Sequence, residues 1–256
     1  MSEYYNATRV KNIFDPKSSA PFKISRSKID LFLKCKRCFY LDRRCGVGQP
    51  PSFPFNLNSA VDALLKKEFD VHRAAGNPHP LMRAYGIRAV PFAHLKMDEW
   101  RDALRRGIQY VHTATNLLVT GGVDDVWINE TQELHIVDYK ATAKDKEVTL
   151  DAEWQIAYKR QVEIYQWLFR KNGFTVSDVA YFVYCNGNTD KKAFDAKLEF
   201  DIKVIPYEGH DYWVENTLRD IKECLVSAMI PDSDARCDFC NYRRAAREVE
   251  VRTTLF

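Results

Sequence analysis

The sequence predicts a mixed α/β domain carrying an N-terminal helical addition and a cysteine module at its C-terminal end. Three observations carry that expectation. Helical spacing of apolar residues dominates the first part of the chain, and the period switches to two over residues 117–140 and again over 179–205. A Cys-x-x-Cys pair also stands near each end, at Cys35/Cys38 and Cys237/Cys240. A chain of 256 residues that is 46% hydrophobic can bury a real core, as one large domain or two modest ones.

In chain order, residues 1–24 show no clear period, contain Pro16 and Pro21, and read as an arm. Ser27 followed by Asp30 is an N-terminal capping pattern, and Ile29, Phe32, Leu33 and Tyr40 continue it as a helix that stops near Gly46 and Gly48. The proline-rich QPPSFPF stretch that follows must be extended or looped. Val61, Leu64, Leu65 and Phe69 predict a second helix over residues 59–73. Three prolines make residues 76–91 an irregular crossing, and a further helix is expected over 97–108. Residues 117–128 and 133–140 read as two strands joined by a polar turn. A long amphipathic helix over 152–171 ends at Asn172–Gly173, a good C-terminal stop. Strands at 179–185 and 197–205 and a helix at 209–228 complete the series before the cysteine tail.

The formal net charge of +3 neither announces nor excludes a polyanionic partner, because a local basic patch is enough, and residues 34–44 and 243–247 are locally basic. The first residues, MSEYYNATRVKNIF, lack a hydrophobic run, and no segment approaches the roughly 18 apolar residues of a membrane span. A cytoplasmic protein with no membrane partner is expected. In a reducing compartment its seven cysteines would be thiols or metal ligands rather than disulfides.

The chemistry concentrates on the central hairpin. Along LHIVDYK, Leu134, Ile136, Asp138 and Lys140 share one face, so a carboxylate and an amine project together from a hydrophobic strand. The preceding strand brings Asp124 in GGVDDVW, directly across from Asp138 if the turn has an odd length and diagonal to it if the turn has four residues. Converging carboxylates repel unless a cation lies between them, and hard oxygen ligands suit magnesium or manganese. Such an ion binds a phosphate oxygen and acidifies water, while Lys140 can orient that water or stabilise developing charge. An Asp–Lys pair on a surface hairpin is common, so D-x-K alone carries little. Gly121, three residues before Asp124, adds to it by permitting close approach. Trp154, Tyr158, Gln161 and Tyr165, spaced 4, 3 and 4, add a polar-aromatic helical stripe.

Taken together, GGVDDVW, LHIVDYKAT and YKRQVEIYQWL, preceded by SRSKIDLFLKCKRCFYL, resemble the RecB-like branch of the PD-(D/E)XK nuclease superfamily. That branch uses G-x-x-D, then D-x-K, then Q-x-x-x-Y, and the resemblance covers roughly residues 25–240. It implies a restriction-endonuclease-like mixed sheet flanked by helices, with residues 25–110 as a helical region and 111–230 as the nuclease core. It also implies magnesium- or manganese-dependent hydrolysis of DNA, as an exonuclease acting on single strands or duplex ends. By the same match Asp124 and Asp138 are metal ligands, Lys140 is the catalytic lysine, and Gln161 and Tyr165 support the site. Two departures stand out. Where the branch has a metal-binding histidine on an early helix, this chain has Asp62, either an oxygen ligand or a solvated residue. The second acidic position of the D-x-K motif is Tyr139, which can offer only its backbone carbonyl.

Two Cys-x-x-Cys pairs suit tetrahedral thiolate binding of zinc or an iron–sulfur cluster, and joining them would pack residues 231–256 back on residues 35–38. The resemblance extends to AddB-type and CRISPR-adaptation exonucleases, which hold a [4Fe–4S] cluster with one cysteine before the core and three after it. Cys35, Cys237 and Cys240 match three of those positions. The fourth falls near Ala246, and Cys38 stands as its replacement, which leaves zinc and [4Fe–4S] both open. DNA is the partner the resemblance implies, with a helicase or a CRISPR-adaptation protein beside it, in DNA repair or adaptation. A non-cutting DNA-binding module of the same fold and a zinc-stapled structural protein are the competing readings.

Overall fold

Helices dominate the first part of the chain, strands the middle, and helices return at the end. In order they are β1 (Phe22–Ser25), α1 (Arg26–Lys34), α2 (Lys36–Arg44), α3 (Asn56–Ala75), α4 (Pro80–Ala84) and β2 (Ala89–Pro91). Next come α5 (Met97–Arg101), β3 (Ile108–His112), β4 (Leu117–Gly121), β5 (Asp125–Asn129), β6 (Leu134–Thr142) and α6 (Ile156–Lys171). The last four are β7 (Val179–Gly187), β8 (Phe200–Glu208), α7 (Trp213–Val226) and α8 (Asp238–Thr253). The computed structural model describes residues 6, 8–51, 56–145 and 147–253, so Ser52–Phe55 of the QPPSFPF stretch lie outside the described residues. Two compact units form, one from residues 1–53, 111–119 and 213–256, the other from residues 54–110 and 120–212.

The second unit is built on a five-stranded mixed sheet in the order β2-β5-β6-β7-β8. Strands β6 and β7 are parallel and the other neighbours antiparallel. A parallel pair needs a crossover, which α6 supplies. The first six residues of β6 are buried, so this strand is covered on both faces. Val137 and Tyr139 pack with Trp127 and Val183 against Leu65 and Phe69 of α3. Asp138, on the opposite face by the two-residue alternation, meets Gln161 of α6. The expected α/β class, a mixed sheet flanked by helices, is the observed one.

In the first unit, Val214, Leu218, Ile221 and Leu225 form a buried stripe on α7. Phe32 and Phe39 meet edge to face at 5.2 Å, and the Tyr40 hydroxyl donates to the Ser227 carbonyl at 2.9 Å. Asp42, 1% exposed, gathers Arg9, Lys28 and Arg43, each with a nitrogen 2.8 Å from its carboxylate. Burial raises the Asp42 carboxyl, but the three cations outweigh it and hold the group down at about 2. Because the folded value lies below the ordinary carboxylate range, this pairing stabilises the fold fully above about pH 4 and is lost as pH falls toward 2. Asp42→Asn should cost about 3–5 kcal/mol at pH 7 by leaving buried cations uncompensated. Urea denaturation measures it, and an unchanged midpoint would rule the ion cluster out as a support.

Several elements depart from expectation for identifiable reasons. The helix expected from Ser27 is broken at Cys35, whose φ of −162° is extended backbone, and whose sulfur accepts the Cys38 N–H at 3.5 Å as the N-cap of α2. Ser25, rather than Ser27, precedes α1 without a side-chain cap hydrogen bond, and Asp30 pairs with Lys34. Residues 117–128 form two strands in different sheets: β4 joins β1 and β3, and β5 joins the five-stranded sheet. The break falls beside Gly122, where any Cβ would collide with Ala103. The helix expected over 97–108 ends at Arg101, where Asp102 leaves helical backbone, and Gly107 at φ +73° turns the chain into β3. β1, β2 and α8 carried no recognisable sequence signal. Among the described residues no helix is long and apolar enough to cross a membrane.

Candidate active site and cysteine centre

Register decides the geometry of the carboxylates. Ile128 pairs with Leu134 and Asp125 with Val137, leaving an odd-length turn at residues 129–133. Carried one position further, that register sets Asp124 directly across from Asp138. Asp138 is fully buried; its Oδ1 accepts from Gln161 Nε2 at 2.7 Å and its Oδ2 contacts the Lys140 ammonium. Asp124 Oδ2 accepts the Tyr139 backbone N–H at 2.9 Å. Lys140 Nζ lies 4.4 Å from the centre of the Tyr158 ring. Burial alone would lower the lysine, but Asp138 and then Asp124 outweigh it and hold its ammonium form above the ordinary lysine range.

Helix α6 frames this edge. Gln161 Nε2 also lies 3.4 Å from the Tyr165 hydroxyl, and the Tyr165 ring occupies the space that a side chain at Gly121 would need. The close approach permitted by Gly121 is thus to Tyr165. Trp154 is 54% exposed and sits edge-on to Tyr158 at 5.3 Å, so it continues the stripe outward.

Residues that the motif reading passed over complete the site. Lys66 Nζ lies 2.8 Å from Asp62 Oδ2 and 3.6 Å from Asp124 Oδ1, a positive charge between two carboxylates. Burial first, and Asp124 second, push the Asp62 carboxyl upward. Arg101 Nε donates to the Asp124 carbonyl at 3.1 Å, holding that backbone in place. Beneath it, Asp125 is fully buried against Arg73, Arg101 and the Tyr139 hydroxyl, and Asp70 bridges both arginines. The four-residue spacing of Asp62 and Lys66 was a readable signal for Lys66. Arg101 had none, because its role depends on where α5 packs.

In the first unit, Cys35, Cys38, Cys237 and Cys240 converge. Their sulfurs lie within 4.8 Å of one another, with 3.8 Å between Cys35 and Cys240 and 3.6 Å from Cys38 to Cys237 and to Cys240. Burial pushes Cys38 well up and Cys240 to about 11, whereas backbone hydrogen bonds at Cys38 and Asp234 overcome burial and bring Cys35 to about 7. No disulfide joins them.

The family model of the PD-(D/E)XK nuclease superfamily matches residues 23–245, which take in both centres. The chain belongs to that superfamily. Membership implies metal-dependent nuclease activity, and the superfamily's use of divalent ions suits carboxylate donors that face each other across a strand pair. Among solved structures, the crystal structure of SSO0001 aligns over 84% of this chain and 80% of that one at 16% identity, with a TM-score of 0.33, too loose a correspondence to bear on the fold. No curated protein gives a significant match.

The residues fit the two kinds of ion unequally. Tetrahedral zinc with Zn–S near 2.3 Å sets its sulfurs about 3.8 Å apart, which matches the cysteine spacing. Among the described residues the four cysteines are the one group of three or more Cys, His, Asp or Glu side chains placed to hold a metal ion. Asp62, Asp124 and Asp138 do not close into such a trio. A magnesium-type site with one or two carboxylates, the rest of its shell being water and substrate oxygen, asks less of the protein and suits Asp124 and Asp138.

Proposed function

We propose that this superfamily member is a magnesium- or manganese-dependent deoxyribonuclease of the RecB-like branch. It acts as an exonuclease on single strands or duplex ends, in DNA processing, repair or CRISPR adaptation. The observation that carries the reading is the Asp138–Lys140 pair, with Asp124 across the hairpin and Gln161 bonded to Asp138. Phosphate binding alone would favour lysines and arginines over facing carboxylates.

When bound by Asp124, Asp138 and the Tyr139 carbonyl, a hard divalent ion supplies Lewis acidity and an activated water. Gln161 orients Asp138 by occupying one oxygen and leaving the other toward Lys140. Tyr165 fixes Gln161. Lys140, held as an ammonium, is suited to donate a hydrogen bond to the attacking water or to charge developing on phosphate. Arg101 keeps the Asp124 backbone in register.

Asp62 would be a further oxygen ligand for such an ion, and Lys66, which pairs with it, would compete for that carboxylate. Lys66→Met should therefore raise manganese affinity several-fold by calorimetry, and an unchanged or weaker affinity would overturn the competition. The cysteines would hold a metal ion or cluster, and their sulfur spacings of 3.6–3.8 Å favour zinc.

Digestion of end-labelled single- and double-stranded DNA with magnesium or manganese tests the activity. Progressive loss from an end supports the exonuclease. Binding without cutting under either ion would establish the non-cutting module instead.

A further inference from the structure

Among its described residues helix α8 buries only Cys240, and it leaves two aromatic rings and four arginines exposed. Phe239 is 48% and Tyr242 78% exposed. Arg243, Arg244, Arg247 and Arg252 are also exposed. Arg243 and Arg247, one helical turn apart, separate two clefts within the first unit. On one side is a cleft of about 660 Å³ in which Arg37, Arg243, Arg244, Arg247 and Arg252 face a single carboxylate, Glu248. On the other is a cleft of about 620 Å³, mainly apolar, that contains Phe239 and Tyr242.

The arginines are not spent on internal pairing. Arg37, Arg243, Arg247 and Arg252 make no ion pair with a carboxylate among the described residues, and Arg37 Nε is buried without a hydrogen-bond partner. A buried guanidinium nitrogen left unpaired is unfavourable, and like charges at i and i+4 weaken the helix that bears them. An anion in the cleft would relieve both.

We propose that α8 is a rail for single-stranded nucleic acid, with Arg37, Arg243, Arg247 and Arg252 on successive phosphates and Tyr242 and Phe239 stacking on unpaired bases. Guanidinium forks match phosphate oxygens, and exposed rings beside a cationic groove are the two parts that single strands require. An acidic protein surface would use the arginines and leave the rings without bases to stack on. The inference rests on the nuclease reading for the choice of nucleic acid and extends it to the form of the strand.

The test uses the full chain carrying Lys140→Ala, so that labelled strands survive, and follows fluorescence anisotropy of a 20-mer of thymidylate and of a duplex of equal length across a salt series. Arg243→Gln with Arg247→Gln should lower the slope of log affinity against log salt by about 1.4 for the single strand, at roughly 0.7 per lost phosphate contact. Tyr242→Ala should weaken the single strand about tenfold, leave the slope unchanged, and spare the duplex. An unchanged slope in the double variant, with its helix content and bound metal intact, overturns the rail. So does polyglutamate binding as tightly as the single strand with no effect of Tyr242→Ala, which would assign the cleft to an acidic protein. The two readings fail separately: an active enzyme with an unchanged slope loses only the rail, and a chain that shows the slope change but never cuts loses only the nuclease.

Discussion

Lys140→Ala is expected to abolish phosphodiester cleavage, by about 10³-fold or more, and to leave the protein folded. The size follows from what the ammonium does: removing one preorganised donor from a water-poor site costs about 10²–10³ in rate, and here the Asp138 carboxylate also loses its counter-charge. Lys140 is 15% exposed and lies against Asp138 and the face of Tyr158, so its position is set before substrate arrives. A second variant separates chemistry from packing. Asp138→Asn keeps the shape of the side chain and its hydrogen bond with Gln161 but halves the facing carboxylates, and it should reduce activity as severely while weakening manganese binding. Steady-state kinetics should show the loss in kcat rather than KM. Cleavage within tenfold of wild type in either variant would move the active centre away from this hairpin.

Withdrawing the ion from the cysteines is expected to unfold the module that contains α8. Cys38 and Cys240 are 202 positions apart, and Cys240 is the buried side chain among the described residues of α8. Apparent binding energies of structural zinc, about 10–16 kcal/mol, are of the order of a domain's whole stability. With a strong chelator the melting temperature should fall by 10 °C or more, on the order expected from several kcal/mol, and protease should cut near residues 227–237. Cys240→Ser should reproduce the effect without chelator. Metal analysis should give one zinc per chain; four irons and a brown colour would replace the single ion with a cluster. Full stability in chelator, with no bound metal, would leave four ordinary thiols.

How far these sites could be read before the fold was known differs from one residue to the next. Asp138 and Lys140 were legible together, because alternation along a strand is local and LHIVDYK is hydrophobic enough to declare itself a strand. Gln161 and Tyr165 were legible because helical spacing puts them on one stripe. Whether Asp124 faces Asp138 depended on a turn whose length could be read as four or five residues. The break at Cys35 was hidden, since the apolar period runs through it and the extended backbone is tied to the thiol cluster. Helix α8 was hidden for the opposite reason: among its described residues only Cys240 is buried, so no apolar stripe shows.

Local periodicity and motif order by themselves determined the α/β class, the strand that bears the acid–amine pair, the helix that supports it and the four cysteines that could share an ion. Those properties depend on neighbours within a few residues, and the chain's chemistry specifies them directly. The tertiary structure alone decided that residues 117–128 divide between two sheets, that Lys66 sits between Asp62 and Asp124, that Arg101 holds the Asp124 carbonyl, and that sulfurs two hundred residues apart come within 4 Å. Each of these is a contact between distant segments, set by which faces pack together and which buried charges must be paired, and no local pattern encodes that choice.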